Sequence, residues 1–184
     1  MEWINLIKDY KVFNEQESKD KEIILKCIDM FDDVFTRKSE IAHLTSSTFV
    51  VNKSRDKVLM VHHNIYNTWS WMGGHNDGDE DFLNVAIKEL EEETGVCDIK
   101  VIGDKIFSLD VLDVKSHMKR GKYVAPHLHL SIAYLVEANE ENELRVKEDE
   151  NSGVMWIPIN EINNYVKNEP HMQKLYAKFI EKMN

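Results

Sequence analysis

Four glutamates, Glu89, Glu91, Glu92 and Glu93, stand at the C-terminal end of a predicted helix, where carboxylates are unfavourable. The negative end of the helix macrodipole disfavours each acid there by about 0.3–1 kcal/mol. Glu89 and Glu93, four residues apart, also repel each other. A divalent cation would remove this repulsion, and all-oxygen ligands favour Mg²⁺, Mn²⁺ or Ca²⁺. The run alone indicates a metal site and a solvated acidic helix face about equally.

The helix that carries these acids is predicted from Asp79 to Thr94. Asp79 is the expected N-cap, more acids follow in the first turn, and Gly95 is the expected C-terminal stop. Because an α-helix turns by about 100° per residue, the apolar side chains fall on one stripe that faces the core. The stripe consists of Leu83, Ala86, Ile87 and Leu90.

Glu89, Glu92 and Glu93 share one arc of this helix, at about 240°, 180° and 280° from Leu83. The arc borders the apolar stripe, so these acids lie beside the core, where a purely polar helix face would not need to place them. Lys88, at about 140°, flanks the arc and can pair with Glu92. The helix therefore brings three carboxylates to one side.

Side-chain patterning predicts the elements around this helix. Residues 1–42 are predicted to be helical, with Asn14 as an N-cap and Glu17 three residues further on. The β-branched segments 44–52 and 57–63 flank a polar turn and indicate an antiparallel pair of strands. The other expected elements are strands in 99–113, 127–138 and 153–159 and a closing helix in 170–182. Strands interleaved with helices indicate an α/β or α+β fold.

Length, composition and charge limit the class of protein. With 184 residues, 42% of them hydrophobic, we expect one domain from 43 to 184 after a helical N-terminal extension, 1–42. The net charge of −10 disfavours a groove for polymeric nucleic acid. Cys27 and Cys97 lack a CxxC spacing, which predicts free thiols in a reducing compartment. The sequence shows neither a signal peptide nor an 18-residue apolar run, so we expect a cytoplasmic protein without a membrane partner.

The spacing of the acids matches a longer pattern. Gly74 is followed after five residues by Glu80, after seven more by Lys88-Glu89-Leu90, then by Glu92-Glu93 and Gly95-Val96. This resembles the Nudix box of the Nudix hydrolase superfamily, whose pattern is G, five residues, E, seven residues, REU, one residue, EE, one residue, GU, where U is aliphatic. Lys88 replaces the family's arginine, and Met72 stands where family members generally have proline.

The resemblance implies a fold, an activity and a set of residue roles. The fold would be an α/β/α sandwich with a mixed β-sheet, and the reaction would be hydrolysis of a nucleoside diphosphate linked to another moiety, with Mg²⁺ or Mn²⁺. By the same resemblance Glu92 and Glu93 are metal ligands, Glu89 is a ligand or water activator, and the Gly74 carbonyl is a further ligand. Two residues would support this site: Glu80 would brace the loop against the helix, and Lys88 would orient a glutamate.

The general base is expected either on the box helix or in a distant loop. The segment before the strand at 153–159 offers Glu148 and Glu150. We favour Glu150 over Glu148, with Glu89 as the rival. Both loop acids would be ordinary exposed side chains if the base lies in the box.

Several residues are candidates for binding substrate. His127 and His129 alternate on a predicted strand, so both point to one face, where they could bind substrate or metal or simply be satisfied within the sheet. His75 lies in the box loop, and Trp69 could stack on a base, although aromatic residues at strand ends are more often core. Arg120 belongs to a basic segment that could meet phosphates or form a solvated hairpin. The other members of that segment are Lys115, Lys119 and Lys122.

Three functions remain open at this point. The first is a metal-dependent pyrophosphohydrolase acting on a small nucleoside diphosphate derivative. The second is a Nudix-fold module that senses a nucleotide without cleaving it, and the third is an enzyme that resembles isoprenyl-diphosphate isomerases. The intact glutamates favour catalysis over sensing. For the isomerase hypothesis, no catalytic cysteine is identified in this sequence, although Cys97 directly follows the box. The extension either pairs two protomers or covers the sheet, so a homodimer stays open.

Overall fold

The computed structural model describes residues 2–103, 105–119 and 121–184, which contain both helices and strands. The helices of this part of the chain are α1 (Glu2–Asp9), α2 (Glu15–Met30), α3 (Phe82–Thr94), α4 (Ile162–Tyr165) and α5 (Pro170–Met183). The strands are β1 (Ala42–Val51), β2 (Lys57–His63), β3 (Thr68–Ser70), β4 (Met72–His75), β5 (Ile99–Val101), β6 (Ser108–Val114), β7 (His117–Lys119), β8 (Lys122–Val124), β9 (His127–Ala138) and β10 (Asn151–Pro158). None of the described helices combines the length and the apolar character that a membrane crossing requires.

The predicted helical extension is helical over only part of its length. The Asn14 side chain accepts a hydrogen bond from the Glu17 amide at 2.9 Å, which confirms Asn14 as the N-cap of α2. The prediction of helix through residue 42 is wrong beyond Met30, because Phe31 takes an extended backbone (φ −117°, ψ 117°). Residues 31–41 then form turns and bends that lead into β1.

The described residues fall into two compact units. The first contains the described residues of Met1–Ser47, Gly73–Ile87 and Gly103–Tyr134, and the second contains Thr48–Met72, Lys88–Ile102 and Leu135–Asn184. Strands β1, β4 and β9 and helix α3 therefore contribute residues to both. The predicted boundary between an extension, 1–42, and a domain, 43–184, stays a prediction.

The first unit packs the N-terminal helices onto strands. Its core includes Trp3 and Ile7 from α1, Leu44 from β1 and Leu130 from β9, all buried. The buried carboxylate of Glu17 reinforces this packing. It accepts hydrogen bonds from the Tyr10 hydroxyl at 2.6 Å and from the Ser108 hydroxyl of β6 at 3.0 Å. Because a buried charge is costly unless it is hydrogen-bonded, these contacts fix α2 against β6.

The second unit contains an antiparallel set of strands and an aromatic core. Strand β2 pairs with β1, β3 and β10, each time antiparallel, which confirms the predicted hairpin of β1 and β2. Helix α5 supplies Tyr176 and Phe179, whose rings pack on Phe49 and Trp71. Each buried aromatic side chain contributes about 1.5–3 kcal/mol of hydrophobic stabilisation.

Hydrogen bonding joins eight strands of the described chain in one sheet, of which five follow the order β10-β2-β1-β9-β5. Strand β3 adds to β2, β4 to β1 and β6 to β9. Strand β9 spans residues 127–138 as predicted, whereas the expected strand region 99–113 separates into β5 and β6. Strands β7 and β8 form a separate hairpin in the basic segment.

Candidate functional site

Helix α3 begins later than predicted but ends where expected. The Asp81 side chain accepts from the Asn84 amide at 3.0 Å, so Asp81 is the N-cap. The prediction that Asp79 caps the helix is wrong, because the Asp79 side chain closes a turn before it, accepting from the Asp81 amide at 2.9 Å. Gly95, with a left-handed φ of 76°, ends the helix as predicted.

The acids of α3 differ in exposure. Ala86 and Leu90 are fully buried, which confirms the apolar stripe. Glu93, beside that stripe, is only 5% exposed, and Glu89 is half-buried. Glu91 and Glu92 are exposed. Two of the three predicted site acids on this helix, Glu89 and Glu93, are therefore partly or largely desolvated, and the third, Glu92, is open to solvent.

Lys147 joins the box helix to the segment before β10. Its ammonium lies 3.2 Å from the Glu92 carboxylate and 3.1 Å from the Glu150 carboxylate. Burial lowers the pKa of Lys147, but its hydrogen bonds to Glu150 and Glu92 outweigh that effect and hold the pKa above its ordinary value. Two acids from distant parts of the sequence thus share one cation.

Glu89 lies in the field of the same charges. Burial raises the pKa of its carboxyl group; Lys147 opposes this shift, and the negative charges of Glu92 and Glu150 add to it. We call Glu89, Glu92, Glu93 and Glu150 the carboxylate cluster. Its members need positive charge nearby, and in this structure Lys147 supplies it.

Glu93 is held by an amide rather than by an exposed cation. The Asn151 side-chain nitrogen donates to the Glu93 carboxylate at 2.9 Å, and both side chains are buried. Asn151 begins β10 and follows Glu150 in the chain, so the same short segment places partners for two acids of α3. A hydrogen bond to a charged group contributes about 1.5–3 kcal/mol.

The local turn explains why Glu150, not Glu148, reaches the cluster. The Glu150 and Asn151 amides donate to the Lys147 carbonyl at 3.0 and 2.8 Å, which folds the segment back on itself. This turn brings the Glu150 side chain beside the Lys147 ammonium, whereas Glu148 remains exposed. The geometry supports our preference for Glu150 as the loop acid, and its role as general base stays a prediction.

Three further residues of the predicted box take different positions. Lys88 forms the predicted pair with Glu92 at 3.8 Å, but its side chain is 68% exposed. Glu80 is exposed in the loop before α3, and its bracing role stays a prediction. Gly74 lies in β4, where the role of its carbonyl as a metal ligand also stays a prediction.

Two residues of this site, Lys147 and Asn151, were missed by sequence reasoning. The i, i+3 spacing of Lys147 and Glu150 was a weak local signal for an ion pair. Nothing local connects either residue to α3, because their partners lie about fifty positions earlier in the chain. Only the pairing of β10 into the sheet brings them together.

A second group of titratable side chains lies in the first unit. His75, His127 and His129, three predicted substrate ligands, meet a fourth histidine, His43, that was not predicted. The ring centroids of His43 lie 5.0 Å from His75, 4.8 Å from His127 and 5.1 Å from His129. We call these four residues the histidine cluster.

Burial keeps three rings of the histidine cluster neutral. It lowers the pKa of His43, which the hydrogen bond to the Ser39 carbonyl only partly opposes. Burial, with a smaller contribution from His43, lowers the pKa of His75 to about 3. Burial and the neighbouring rings lower the pKa of His129 well below its ordinary value. At neutral pH these imidazoles therefore have free lone pairs.

The ring of Trp69, a further predicted substrate ligand, packs outside both clusters. Trp69, half-buried on β3, packs edge-on against His62 and Tyr165, with ring centroids 5.3 and 6.0 Å away. Trp71 is core, stacked on Phe179. Arg120 lies outside the described residues. A substrate-binding role for Trp69 and Arg120 stays a prediction.

The chemistry of the carboxylate cluster fits a hard divalent cation. Its donors are carboxylate oxygens, which suit Mg²⁺ and Mn²⁺. Glu92 and Glu150, 42% and 35% exposed, are open to solvent, so an ion from solution can approach them. Their convergence on Lys147 shows that this position favours positive charge.

This chain belongs to the NUDIX domain family, since the family's sequence profile matches residues 42–179. That range contains the whole box and every member of both clusters. The fold is the Nudix fold, an α/β architecture with a mixed sheet, as predicted. Members of this family generally use a divalent metal ion.

The chain is similar to both characterised and structurally solved relatives. It is 29% identical over 103 residues to an RNA pyrophosphohydrolase from Pelagibacter ubique, over 54% of this chain and 65% of that relative's length. An Ap4A hydrolase from C. elegans superposes with a TM-score of 0.54 at 15% identity, covering 76% of this chain and 93% of the other. A Nudix family hydrolase from Clostridium perfringens gives 0.55 at 17% identity, covering 77% and 98%. At such identities the two structures establish the fold alone.

Proposed function

We propose that this protein is a metal-dependent pyrophosphohydrolase that cleaves the diphosphate linkage of a small nucleoside diphosphate derivative. The observation that carries the proposal is the convergence of Glu92 from the box helix and Glu150 from the distant segment on the Lys147 ammonium, at 3.2 and 3.1 Å. Carboxylates from two parts of the chain thus meet where positive charge is favoured. A sensing module would not need a loop acid beside the box.

The proposed roles follow from position and chemistry. Glu89, Glu92 and Glu93 would hold Mg²⁺ or Mn²⁺, which, when bound, neutralises the diphosphate and orients it for in-line attack. The Asn151 amide fixes the Glu93 carboxylate, and Lys88 restrains Glu92 from the exposed side. Glu150, accessible to solvent, would accept the proton of the attacking water. Positioning of this kind supplies most of the catalysis in phosphoryl transfer.

The substrate class is inferred from charge and from relatives. The net charge of −10 supports a small ligand over a polymer, because an acidic chain repels a nucleic-acid backbone. The C. elegans structural relative is an Ap4A hydrolase, which supports a dinucleoside polyphosphate or a related compound. The Pelagibacter relative is an RNA pyrophosphohydrolase, so a 5′-triphosphorylated RNA is the main competitor. A cytoplasmic location and homodimer formation stay predictions.

One assay tests both activity and substrate class. The purified full chain is incubated with Mg²⁺ or Mn²⁺ and, separately, with a dinucleoside tetraphosphate, a nucleotide sugar, a nucleoside triphosphate and a 5′-triphosphorylated RNA. Products are separated by ion-exchange chromatography. We expect metal-dependent turnover of a small compound, reduced at least about 100-fold in Glu93→Gln, because a catalytic metal ion supplies several kcal/mol.

The matched control is Glu91→Gln, on the same helix but exposed. It should retain the turnover of the unmodified protein. Turnover that survives Glu93→Gln would overturn the proposed site, and tight nucleotide binding without turnover would identify a sensing module. Preferential turnover of the RNA would keep the reaction and change the substrate.

A further inference from the structure

The histidine cluster lies on neighbouring strands of one sheet. His43 is the second residue of β1, which pairs with β4, the strand that ends at His75. Strand β9, the other neighbour of β1, contributes His127 and His129, which share a face because they are two residues apart. Rings carried by adjacent strands are held more rigidly than rings on loops, which suits a binding site.

His43, a member of this cluster, has one ring nitrogen without a hydrogen-bond partner among the described residues. Its Nδ1 lies 2.9 Å from the Ser39 carbonyl oxygen, and since a carbonyl only accepts, Nδ1 holds the hydrogen. Nε2 is therefore a bare lone pair. It is buried, in a side chain only 4% exposed, and finds no hydrogen-bond partner among the residues that the structure describes. A buried acceptor without a donor is uncommon in native proteins, and a bound ion is one explanation for it.

We propose that His43, His75 and His129 form a binding site for a divalent transition-metal ion, with Zn²⁺ as the preferred occupant. One ligand nitrogen from each of the three rings lies within 4.8 Å of the others. Nitrogens bound to one tetrahedral Zn²⁺ at about 2.0–2.1 Å stand about 3.3 Å apart. On binding the ion, the ring nitrogens would have to approach one another by at most about 1.5 Å.

The donor set separates this site from the carboxylate cluster. Neutral imidazole suits zinc, copper, iron and nickel, whereas Mg²⁺ and Mn²⁺ prefer oxygen. The backbone carbonyl of Ser39 orients the His43 ring as an outer ligand commonly does in zinc proteins. The histidine site would thus select transition-metal ions such as Zn²⁺, whereas the carboxylate cluster would select Mg²⁺ or Mn²⁺.

His127 supports the proposed site from outside. Its Nδ1 lies 2.8 Å from the Ala125 carbonyl and so donates, which leaves its Nε2 as an acceptor. That atom lies 3.3 Å from Nε2 of His129. His127 can therefore receive the ring hydrogen of His129 and fix its orientation, or complete the coordination as a fourth imidazole.

The test measures zinc affinity in the full chain, first stripped of metal and then kept in excess Mg²⁺ so that the carboxylates are occupied. Competition with a chromogenic zinc chelator should show one high-affinity Zn²⁺ per chain. His75→Gln and His129→Gln should each weaken it at least about 100-fold, since even outer ligands change metal affinity 10–100-fold. Co²⁺ in place of Zn²⁺ should give the visible absorption bands of a tetrahedral site, which both variants lose.

Two controls make the outcome decisive. His171→Gln, on α5 beside Glu169, should bind zinc as the unmodified protein does. Glu92→Gln should also keep zinc while losing Mg²⁺-dependent turnover, so failure of this site and failure of the proposed function are distinguishable. Circular dichroism verifies that each variant is folded.

If a histidine variant unfolds, zinc-edge anomalous scattering from zinc-soaked crystals of the unmodified protein replaces it. A zinc peak within bonding distance of His43, His75 and His129 supports the proposal. The proposal is overturned if the unmodified protein takes up no Zn²⁺, if zinc affinity is unchanged in both folded variants, or if the peak lies elsewhere.

Discussion

The carboxylate cluster and the histidine cluster each bring several ionisable side chains of one type close together. They differ in how the charge of those side chains is accommodated. Glu92 and Glu150 are partly exposed, and the Lys147 ammonium lies between them. The imidazoles are more deeply buried, and burial lowers the pKa of His43, His75 and His129. One cluster therefore concentrates charge, and the other concentrates lone pairs.

This difference indicates which kind of metal ion each cluster would bind. Carboxylates that pair with an ammonium group can instead bind hard divalent cations. Those cations can in turn bind the phosphate groups of a substrate. Neutral rings around a buried Nε2 that has no hydrogen-bond partner in the described part of the chain would suit an ion that prefers nitrogen. Four experiments test this difference between the clusters, and they are described in order of decreasing expected effect.

The largest effect is expected at the loop acid of the carboxylate cluster. Glu150→Gln removes the proposed proton acceptor without changing its size, and general-base catalysis contributes about 10²–10⁴-fold. We therefore expect the turnover rate to fall by that factor while KM changes little. Steady-state kinetics on the substrate found in the panel measure both quantities.

Glu148→Gln is the control for this experiment, because Glu148 is exposed two residues earlier in the same segment. It should leave the turnover rate unchanged. Equal rates for the two variants would exclude Glu150 from the mechanism and point to Glu89.

The second effect concerns the cation within the carboxylate cluster. Lys147→Gln leaves Glu92 and Glu150 without their shared ammonium, so the free energy of unfolding in EDTA should fall by about 1.5–3 kcal/mol. Saturating Mg²⁺ should narrow this gap, since the ion replaces the missing charge. Urea unfolding with and without Mg²⁺ provides the measurement.

Lys88→Gln is the matched control for Lys147→Gln. Its ammonium pairs with the same Glu92 but is 68% exposed, so the loss should stay below about 0.5 kcal/mol. If the free energy of unfolding of Lys147→Gln in EDTA falls by equally little, the Lys147 ammonium does not stabilise Glu92 and Glu150.

The third effect is a pH dependence carried by the histidine cluster. The fold keeps His75 neutral down to a pKa of about 3, whereas the unfolded chain protonates histidine below about pH 6.5. The unfolded state then binds more protons, so stability is complete above about pH 6.5 and is lost as the pH falls towards 3. In metal-free buffer, His75→Gln should reduce this loss by about 1 kcal/mol at pH 5.5.

Urea midpoints between pH 5 and 8 measure the slope for both proteins. His171→Gln, on α5 and outside the histidine cluster, is measured in the same way for comparison. If the urea midpoints of the unmodified protein and of His75→Gln change in parallel with pH, the lowered pKa of His75 does not contribute to the pH dependence of stability.

The smallest effect concerns the departure from the family pattern at Lys88. Lys88→Arg restores a planar guanidinium that can form two hydrogen bonds to Glu92. The existing pair is long, 3.8 Å, and exposed, so we expect turnover to change by no more than about twofold, the equivalent of an exposed ion pair of about 0.5 kcal/mol. A tenfold gain in the kinetic assay would mean that this position limits catalysis.

Local patterns predicted most elements and some of their ends. Asn14 caps α2, Gly95 ends α3 and β9 covers residues 127–138, because capping, left-handed φ and β-branched patterning act over a few residues. The start of α3 was misplaced because two aspartates, Asp79 and Asp81, compete for the same role. The end of α2 was misplaced because apolar spacing continues past Met30 although the backbone does not.

The sequence by itself determined the family and the acids of the box, since the spacing of Glu89, Glu92 and Glu93 places them on one side of one helix. Only the tertiary structure decided that Lys147 and Asn151 meet those acids and that His43 joins His75, His127 and His129. Strand order and register bring these residues together across long separations in the chain. Local periodicity says which face a side chain occupies, but not which strand lies beside it.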